Sequence, residues 1–169
     1  MRCIVGTRDC GIMYAITENK DLIGYTDSDF AGSLDDRKST SSYVFHDSGV
    51  VSWAYKKQPI VTLSLAEVEY VATTSVACQA IWLRRVFDGL KHKQQGWTKI
   101  YCDNTSEIAL YKNSVLNQKS KNIFTRYHFI KELVSKGEVH WKPYKSRDQL
   151  VDIFTKSIPK DVFEFHRRN

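Results

Sequence analysis

Apolar residues in the first third of the chain occur in short runs that are typical of β-strands. Residues 22–26, 42–46 and 50–55 are rich in aromatic and β-branched side chains and are bounded by polar residues. The last two runs flank Asp47-Ser48-Gly49, which indicates a turn between neighbouring strands. We therefore predict three strands here, the second and third joined as a β-hairpin.

A longer segment, residues 65–90, has apolar side chains at the spacing of one helix face. Ser64 is followed three residues later by Glu67, a capping-box pattern that fixes the start of this helix. A second long helix is predicted over 123–136 and ends at Gly137, because glycine readily adopts the left-handed conformation at a helix C-terminus. Shorter helices are predicted around 108–110 and over 148–156, and Pro159 is interpreted as the stop after the second of them.

Two more strands, over 99–102 and 138–142, complete the predicted order β-β-β-α-β-α-α-β-α. This order indicates a sheet layered with helices, in the α/β or α+β class. The 169 residues are enough for one domain with a substantial core.

Four carboxylates stand at the ends or margins of these elements: Asp27, Glu69, Asp103 and Asp152, called the four acids below. Asp27 and Asp103 each follow an apolar strand, and Glu69 lies at the margin of the apolar face of the first long helix. Converging negative charges repel and need compensation, which Mg²⁺ supplies through oxygen ligands. Four carboxylates suit two ions about 3.5–4 Å apart, an arrangement used in phosphodiester cleavage. We therefore predict a two-metal site for Mg²⁺, with Mn²⁺ as a substitute.

The overall composition narrows the classes of protein without selecting one. The net charge of +6 and the pI near 9.1 permit a polyanionic partner but do not require one. No apolar run approaches the roughly 20 residues that cross a bilayer. The four cysteines form no metal-binding or CxxC pattern, so we expect free thiols, with Cys78 and Cys102 buried, in a reducing compartment.

Several separate motifs resemble, in order and spacing, those of one known family. They are GYTDSDFAGSLDDRKSTSSYVF (24–45), VSWAYKKQPIVTLSLAEVEYVA (51–72), IWLRRVFDGL (81–90), IYCDNTSEIAL (100–110), RYHFIKE (126–132) and DQLVDIFTK (148–156). The resemblance is to the ribonuclease H region of copia-type (Pseudoviridae) LTR-retrotransposon Pol polyproteins and extends over about residues 22–165. Residues 1–20 resemble the stretch that joins the reverse transcriptase to this region. We therefore expect a connection remnant over 1–20 and an RNase H-like domain over 21–169.

The resemblance implies an α/β RNase H-like fold with a five-stranded mixed sheet and helices on both faces. It also implies a two-metal endonuclease that cuts the RNA strand of RNA/DNA hybrids during reverse transcription. Asp27 matches the family's first catalytic aspartate, Glu69 its glutamate, Asp103 its second aspartate and Asp152 its last. The implied partners are an RNA/DNA hybrid and the reverse transcriptase part of the same polyprotein. The expected location is the cytoplasm, including virus-like particles, with the nucleus as the alternative.

Hybrid binding is expected to use residues that border the four acids: Arg37, Lys38, Ser39, Thr40, Asn104 and Arg147. Basic side chains that follow the nucleic-acid backbone supply much of the affinity and make it salt-dependent. The three tryptophans Trp53, Trp82 and Trp141 are expected in the core, not as platforms for stacked bases.

Two rival interpretations are considered. Integrases and transposases of the DDE type share this fold, but they place their glutamate last, whereas Glu69 comes second among the four acids. The other rival is a catalytically inactive, element-derived module that keeps the RNase H fold and binds nucleic acid. Metal affinity of the four acids separates this module from an active nuclease.

Overall fold

The computed structural model describes residues 11, 12, 14–16, 21–31, 35–62, 64–102, 121–144, 150–152 and 158–168, with the backbone alone at 66, 121–123 and 166–168. Five strands form one mixed sheet: β1 (Ile23–Asp29), β2 (Thr40–His46), β3 (Val50–Lys57), β4 (Thr98–Cys102) and β5 (Val139–Pro143). Their order across the sheet is β3-β2-β1-β4-β5. β2 is antiparallel to both β1 and β3, whereas β4 is parallel to both β1 and β5.

Three helices are described: α1 (Leu65–Gly89), α2 (Lys121–Ser135) and α3 (Lys160–Arg168). α1 packs on β1 and β2 as well as on α2, which in turn contacts β5. None of the helices in the described part of the chain is long and apolar enough to cross a membrane.

The core lies between the sheet and the two long helices. Its buried residues include Phe45 from β2, Ile100 from β4, Trp141 from β5, Val76 from α1 and Ile130 from α2. Gly24 of β1 pairs with Phe45, and a Cβ atom at Gly24 would lie only 2.7 Å from the Phe45 ring. A side chain at position 24 would therefore push the Phe45 ring out of its place in this layer.

Both long helices end in hydrogen-bonded turns of the Schellman type. After α2, Gly137 has a φ of 68°, and Glu138 N–H donates to the Leu133 carbonyl over 3.0 Å. After α1, the left-handed position is taken by Lys91, with a φ of 63°, and His92 N–H donates to the Phe87 carbonyl over 2.8 Å. The predicted stop at Gly137 is confirmed, whereas the left-handed residue that follows α1 is a lysine.

Several other predictions are corrected or extended by the structure. β1 continues three residues past its predicted end, because Asp27, Ser28 and Asp29 pair with Ser42, Ser41 and Thr40 of β2. α3 was not predicted: Pro159, interpreted as a helix stop, supplies the carbonyl that accepts the Phe163 N–H at 3.0 Å. The predicted helix around 108–110 lies outside the described residues, as does most of the one over 148–156.

The exposure of three side chains contradicts the sequence prediction. Trp53 on β3 is 52% exposed and Trp82 on α1 is 56% exposed, whereas Trp141 is buried as predicted. Cys78 and Cys102 are free thiols, but Cys78 is exposed. β3 is the edge strand of the sheet and Trp82 lies on the outer side of α1, so hydrophobic residue type alone did not determine burial at these positions.

Candidate active site

Asp27 lies within β1, half-buried, and directly pairs with Ser42 of β2. Two side chains reinforce this pairing. The Ser42 hydroxyl donates to the Asp27 carbonyl over 3.1 Å, and the Thr26 hydroxyl donates to the Ser42 carbonyl over 3.0 Å. The backbone that carries the Asp27 carboxylate is therefore held by side-chain hydrogen bonds in addition to the sheet ladder.

β4 lies beside β1 on the other side, and the two strands run parallel. Their register pairs Thr26 with Cys102, the residues that precede Asp27 and Asp103 in the sequence. Asp103 itself lies outside the described residues, as do Asn104 and Arg147. The parallel register thus aligns the last described residue of β4 with the position just before Asp27.

Glu69 is on the second turn of α1 and is only 5% exposed. α1 begins at the predicted cap, where the Ser64 hydroxyl accepts the Glu67 N–H over 3.3 Å. The next residue, Tyr70, is also buried, and the negative charge of Glu69 is one reason that its pKa is high. Burial is the largest cause, followed by Tyr127 and then Glu69, and together they raise the pKa of Tyr70 to about 12.

Asp152 has helical backbone and a half-buried side chain whose Oδ1 atom is shielded from solvent. Val151, the preceding residue, is fully buried. The apolar neighbour therefore anchors this part of the chain in the core, next to the half-buried Asp152 side chain.

A cluster of tyrosines lies on the sheet face to which strand alternation also assigns Asp27. The ring centroid of Tyr25 is 5.2 Å from that of Tyr101 and 5.4 Å from that of Tyr144. Burial, followed by the neighbouring hydroxyls of Tyr144 and Tyr101, raises the pKa of Tyr25 well above its ordinary value. The Tyr25 hydroxyl therefore stays neutral at physiological pH, and the three packed rings form an aromatic support beside Asp27.

The predicted substrate-binding residues of the β1–β2 connection separate into two pairs. Arg37 is exposed and has a left-handed φ of 53°, and Lys38 is partly exposed. Ser39 is fully buried and Thr40 is 9% exposed. The first pair is accessible to a ligand, whereas the second is enclosed by the protein.

The hydroxyl of Ser39 takes part in hydrogen bonds inside the protein. It accepts the Ala31 N–H over 3.0 Å and lies 3.2 Å from the Thr62 hydroxyl. These bonds join the end of β1 to the start of β2 and to the segment that leads into α1. We therefore assign Ser39 a structural role and leave Arg37 and Lys38 as the candidates for substrate contact.

The donor chemistry of the described acids fits a hard divalent cation. Asp27, Glu69 and Asp152 offer only carboxylate oxygens, which Mg²⁺ prefers over nitrogen or sulfur. Within the described ranges no three His, Cys, Asp or Glu side chains form a group able to hold a metal ion. The predicted set of four includes Asp103, which lies outside those ranges.

Gln58, between β3 and α1, is a residue at this site that sequence reasoning missed. It is 3% exposed, and its side-chain amide donates to Ser41 Oγ over 2.7 Å and to the Val68 carbonyl over 3.1 Å. Its polar neighbours in the sequence, Lys56 and Lys57, are both exposed. A polar residue at the end of an exposed run gives no hydrophobic signal of burial, so the pattern did not reveal it.

Comparison with known proteins identifies relatives of this chain by sequence. No family model matches the chain. The Pol polyprotein of the tobacco (Nicotiana tabacum) transposon TNT 1-94 is 40% identical over 144 residues, covering 85% of this chain and 11% of that protein. The Pol polyprotein of the Arabidopsis thaliana transposon RE2 is 32% identical over 165 residues, covering 97% of this chain and also 11% of that protein.

Solved structures with the same fold are much more distant in sequence. The N-terminal RNase H domain of a Mycobacterium tuberculosis protein matches with a TM-score of 0.54 and 12% identity, covering 88% of this chain and 97% of that one. LC11 RNase H1, solved with an RNA/DNA hybrid, has a TM-score of 0.54 and 13% identity over 76% of this chain and 88% of its own. The foamy viral protease-reverse transcriptase, solved with dsDNA, has a TM-score of 0.56 and 13% identity, and the match covers 86% of this chain and 28% of that one.

The strand order, the mixed pairing and these neighbours define the chain as an RNase H-like α/β domain. Its homologues are the Pol polyproteins of copia-type retrotransposons, and the chain belongs to that family. It spans 11% of the length of these relatives.

Proposed function

We propose that this chain is a metal-dependent endonuclease that hydrolyses the RNA strand of RNA/DNA hybrids during retrotransposon reverse transcription. The observation that carries the proposal is the placement of two predicted acids in the RNase H-like fold. Asp27 lies on β1 in parallel register with the end of β4, and Glu69 is buried on α1, which packs against β1. Asp103 follows Cys102, the last residue of β4, in the sequence. Because Cys102 pairs with Thr26, this register supports the proposal that Asp103 belongs to the same site as Asp27 and Glu69.

The four acids would hold two Mg²⁺ ions, or Mn²⁺ in their place. Bound divalent ions in such a pair supply an activated water and stabilise the leaving oxygen. The chain's own contribution is to keep its carboxylates fixed. Ser42 and Thr26 brace the backbone at Asp27, the packing of α1 fixes Glu69, and the buried Val151 anchors Asp152.

Arg37 and Lys38 are the described candidates for contact with the hybrid, and Asn104 and Arg147 complete the proposed set. The exposed Arg37 and the partly exposed Lys38 lie just before β2, the strand that pairs with β1 at Asp27. Their positive charge suits the phosphate backbone, so binding should weaken as salt rises. RNA would be distinguished from DNA through its 2′-hydroxyls in the minor groove.

The reverse transcriptase part of the same polyprotein is the proposed protein partner. The chain corresponds to 11% of its Pol relatives, and the foamy viral neighbour is a protease-reverse transcriptase chain of which the match covers 28%. In this arrangement the polymerase makes the hybrid that the RNase H-like domain degrades. The proposed location is the cytoplasm or a virus-like particle, with the nucleus as the alternative.

Cleavage of a 5′-labelled RNA strand in an RNA/DNA hybrid tests the proposal. We expect cutting that requires Mg²⁺ or Mn²⁺ and that Asp103→Asn abolishes, because this substitution removes a proposed ligand charge. Asp88→Asn is a matched control, since Asp88 is an exposed aspartate on the last turn of α1. Hybrid binding by filter retention at rising salt gives an independent readout.

The outcomes separate the nuclease from its main rival. Wild-type protein that binds the hybrid in a salt-sensitive manner but cuts nothing, even when fused to its polymerase, would indicate an inactive nucleic-acid-binding module. Protein that neither binds nor cuts would leave only the fold. Equal cutting by Asp103→Asn and the wild type would refute the assignment of that acid.

A further inference from the structure

Gln58 connects three segments that surround the proposed active site. Its backbone N–H donates to the Ser39 carbonyl over 2.8 Å. Its side-chain amide nitrogen donates to the Ser41 hydroxyl over 2.7 Å and to the Val68 carbonyl over 3.1 Å. The side chain is 3% exposed, so these bonds form away from solvent. One buried residue thus links the start of β2 to the second turn of α1.

The orientation of this amide is fixed by its partners. A carboxamide has two N–H donors on nitrogen and only acceptor lone pairs on oxygen. Exchanging the two ends would place the Gln58 oxygen against the Val68 carbonyl, where two acceptors would face each other. The amide nitrogen therefore has to point toward Ser41 and Val68.

The two anchor points lie next to the residues that the proposed chemistry needs. Ser41 precedes Ser42, whose Cα pairs with that of Asp27 and whose hydroxyl bonds the Asp27 carbonyl. Val68 precedes Glu69 on α1. The path from the Asp27 backbone to the Glu69 backbone thus runs through Ser42, Ser41, the Gln58 amide and Val68.

The oxygen of the same amide, Oε1, is buried and has no hydrogen-bond partner in the described part of the chain. An unsatisfied buried acceptor is a cost to folding. Methionine, an apolar side chain of similar length, would avoid that cost but would lose both hydrogen bonds of the amide nitrogen. What glutamine adds at this position is therefore a directed link from Ser41 to Val68.

We propose that Gln58 is a positioning residue that sets the distance between the carboxylates of Asp27 and Glu69. The inference rests on the proposed nuclease function and adds a residue that does not itself touch metal or substrate. Groups that orient metal ligands affect metal affinity or activity by about 10–100-fold when they are removed. Loss of the amide should therefore reduce turnover and metal affinity more than it reduces hybrid binding.

The test compares Gln58→Met with Gln79→Met. Gln79 is a matched control because it also joins α1 to the β2–β3 hairpin, through a 3.2 Å bond from its amide to the Ser52 hydroxyl. Ser41→Ala is a milder second variant that removes one partner and leaves Gln58 in place. For each protein, kcat and KM are measured on the labelled hybrid, and Mn²⁺ affinity is measured by calorimetry on folded samples.

We expect Gln58→Met to lower kcat by about 10–100-fold and to weaken Mn²⁺ binding by about tenfold, with KM for the hybrid within about twofold of the wild type. Ser41→Ala should show a smaller change in the same direction, and Gln79→Met none. If Gln58→Met does not fold, Ser41→Ala against Gln79→Met decides the question. Equal kcat in the tested variant and in Gln79→Met would overturn the inference.

The failure of this inference differs from failure of the nuclease proposal. Wild-type protein that cuts nothing refutes the nuclease, and Mn²⁺ affinity then decides the role of Gln58. Weaker Mn²⁺ binding in Gln58→Met, but not in Gln79→Met, would still support a positioning role for Gln58. Equal affinity in the two methionine variants, or no binding by the wild type, would refute it.

Discussion

The two ends of α1 are held in different ways. Near its start, residues 68–72 are buried, and they include Glu69 and the Val68 carbonyl that binds Gln58. Its last turn is mostly exposed and is followed by a local Schellman turn at Lys91. A polar tertiary contact at that end comes from Arg84, whose guanidinium donates to the Gly96 carbonyl over 2.7 Å and to the Thr98 hydroxyl over 3.1 Å.

The difference shows how one helix can serve two purposes. Buried polar bonds from other segments fix the first end in both distance and direction, as a metal ligand requires. Exposed bonds and a local turn stabilise the second end without constraining a reactive group. Substitutions at the first end should therefore alter activity, and those at the second end should alter stability.

The largest effect is expected for Glu69→Gln, which keeps the shape of the side chain and removes its charge. RNA cleavage should fall by at least about 100-fold, because a direct ligand matters more than the groups that orient it. The melting temperature should not fall, since burying a neutral amide is less costly than burying a carboxylate. Both quantities are measured on the same protein preparation, by hybrid cleavage and by thermal denaturation.

Glu67→Gln is the matched control two residues earlier in α1, because the capping contact described for Glu67 uses its backbone N–H. It should cut at the wild-type rate. A Glu69→Gln protein that remains active, or an equal loss in both variants, would remove the functional distinction between the two ends of α1.

An intermediate effect is expected for Arg84→Met at the other end. Losing two hydrogen bonds from a charged donor should lower the free energy of unfolding by about 1–2 kcal/mol. At this chain length, that corresponds to a fall in melting temperature of several degrees. Arg85→Met, at the exposed neighbouring position, should change stability little. If the folded Arg84→Met protein loses cleavage activity, the second end also controls the site.

The smallest effect is expected for Lys91→Gly, which should raise stability by about 0.5–1 kcal/mol. The left-handed conformation at Lys91 is strained for a residue with a Cβ atom and unstrained for glycine. Lys93→Gly is the control. Lys93 does not have a positive φ, so glycine at this position should not raise the stability of the protein. Chemical denaturation of the three proteins measures the difference, and an unchanged or lower stability for Lys91→Gly would argue against strain at this turn.

Much of the fold could be predicted from sequence because its main elements have strong local patterns. Val68, Val76 and Leu83 recur on one side of α1 and are buried, and Ser64 caps the helix as predicted. The predicted hairpin over 42–55 is present as β2 and β3. The motifs around the four acids also led to the family that the comparisons show.

Other features depended on contacts between distant segments. Periodicity does not report whether another element covers a given side chain, so Trp53 at the sheet edge and Trp82 on α1 were wrongly predicted to be buried. α3 was missed because Pro159 was interpreted only as a stop, although proline is also favoured where helices begin. The extension of β1 through Asp27 depends on hydrogen bonds from β2, which belong to a distant part of the sequence.

The sequence by itself determined which residue types are available for chemistry and which local elements carry them. The tertiary structure decided how β1, β2 and α1 are joined, through buried polar side chains such as Gln58, Ser39 and Thr62. The physical reason is that local propensity and hydrophobic spacing are properties of neighbouring residues. A buried hydrogen bond between residues ten or more positions apart exists only once packing has excluded water from both partners.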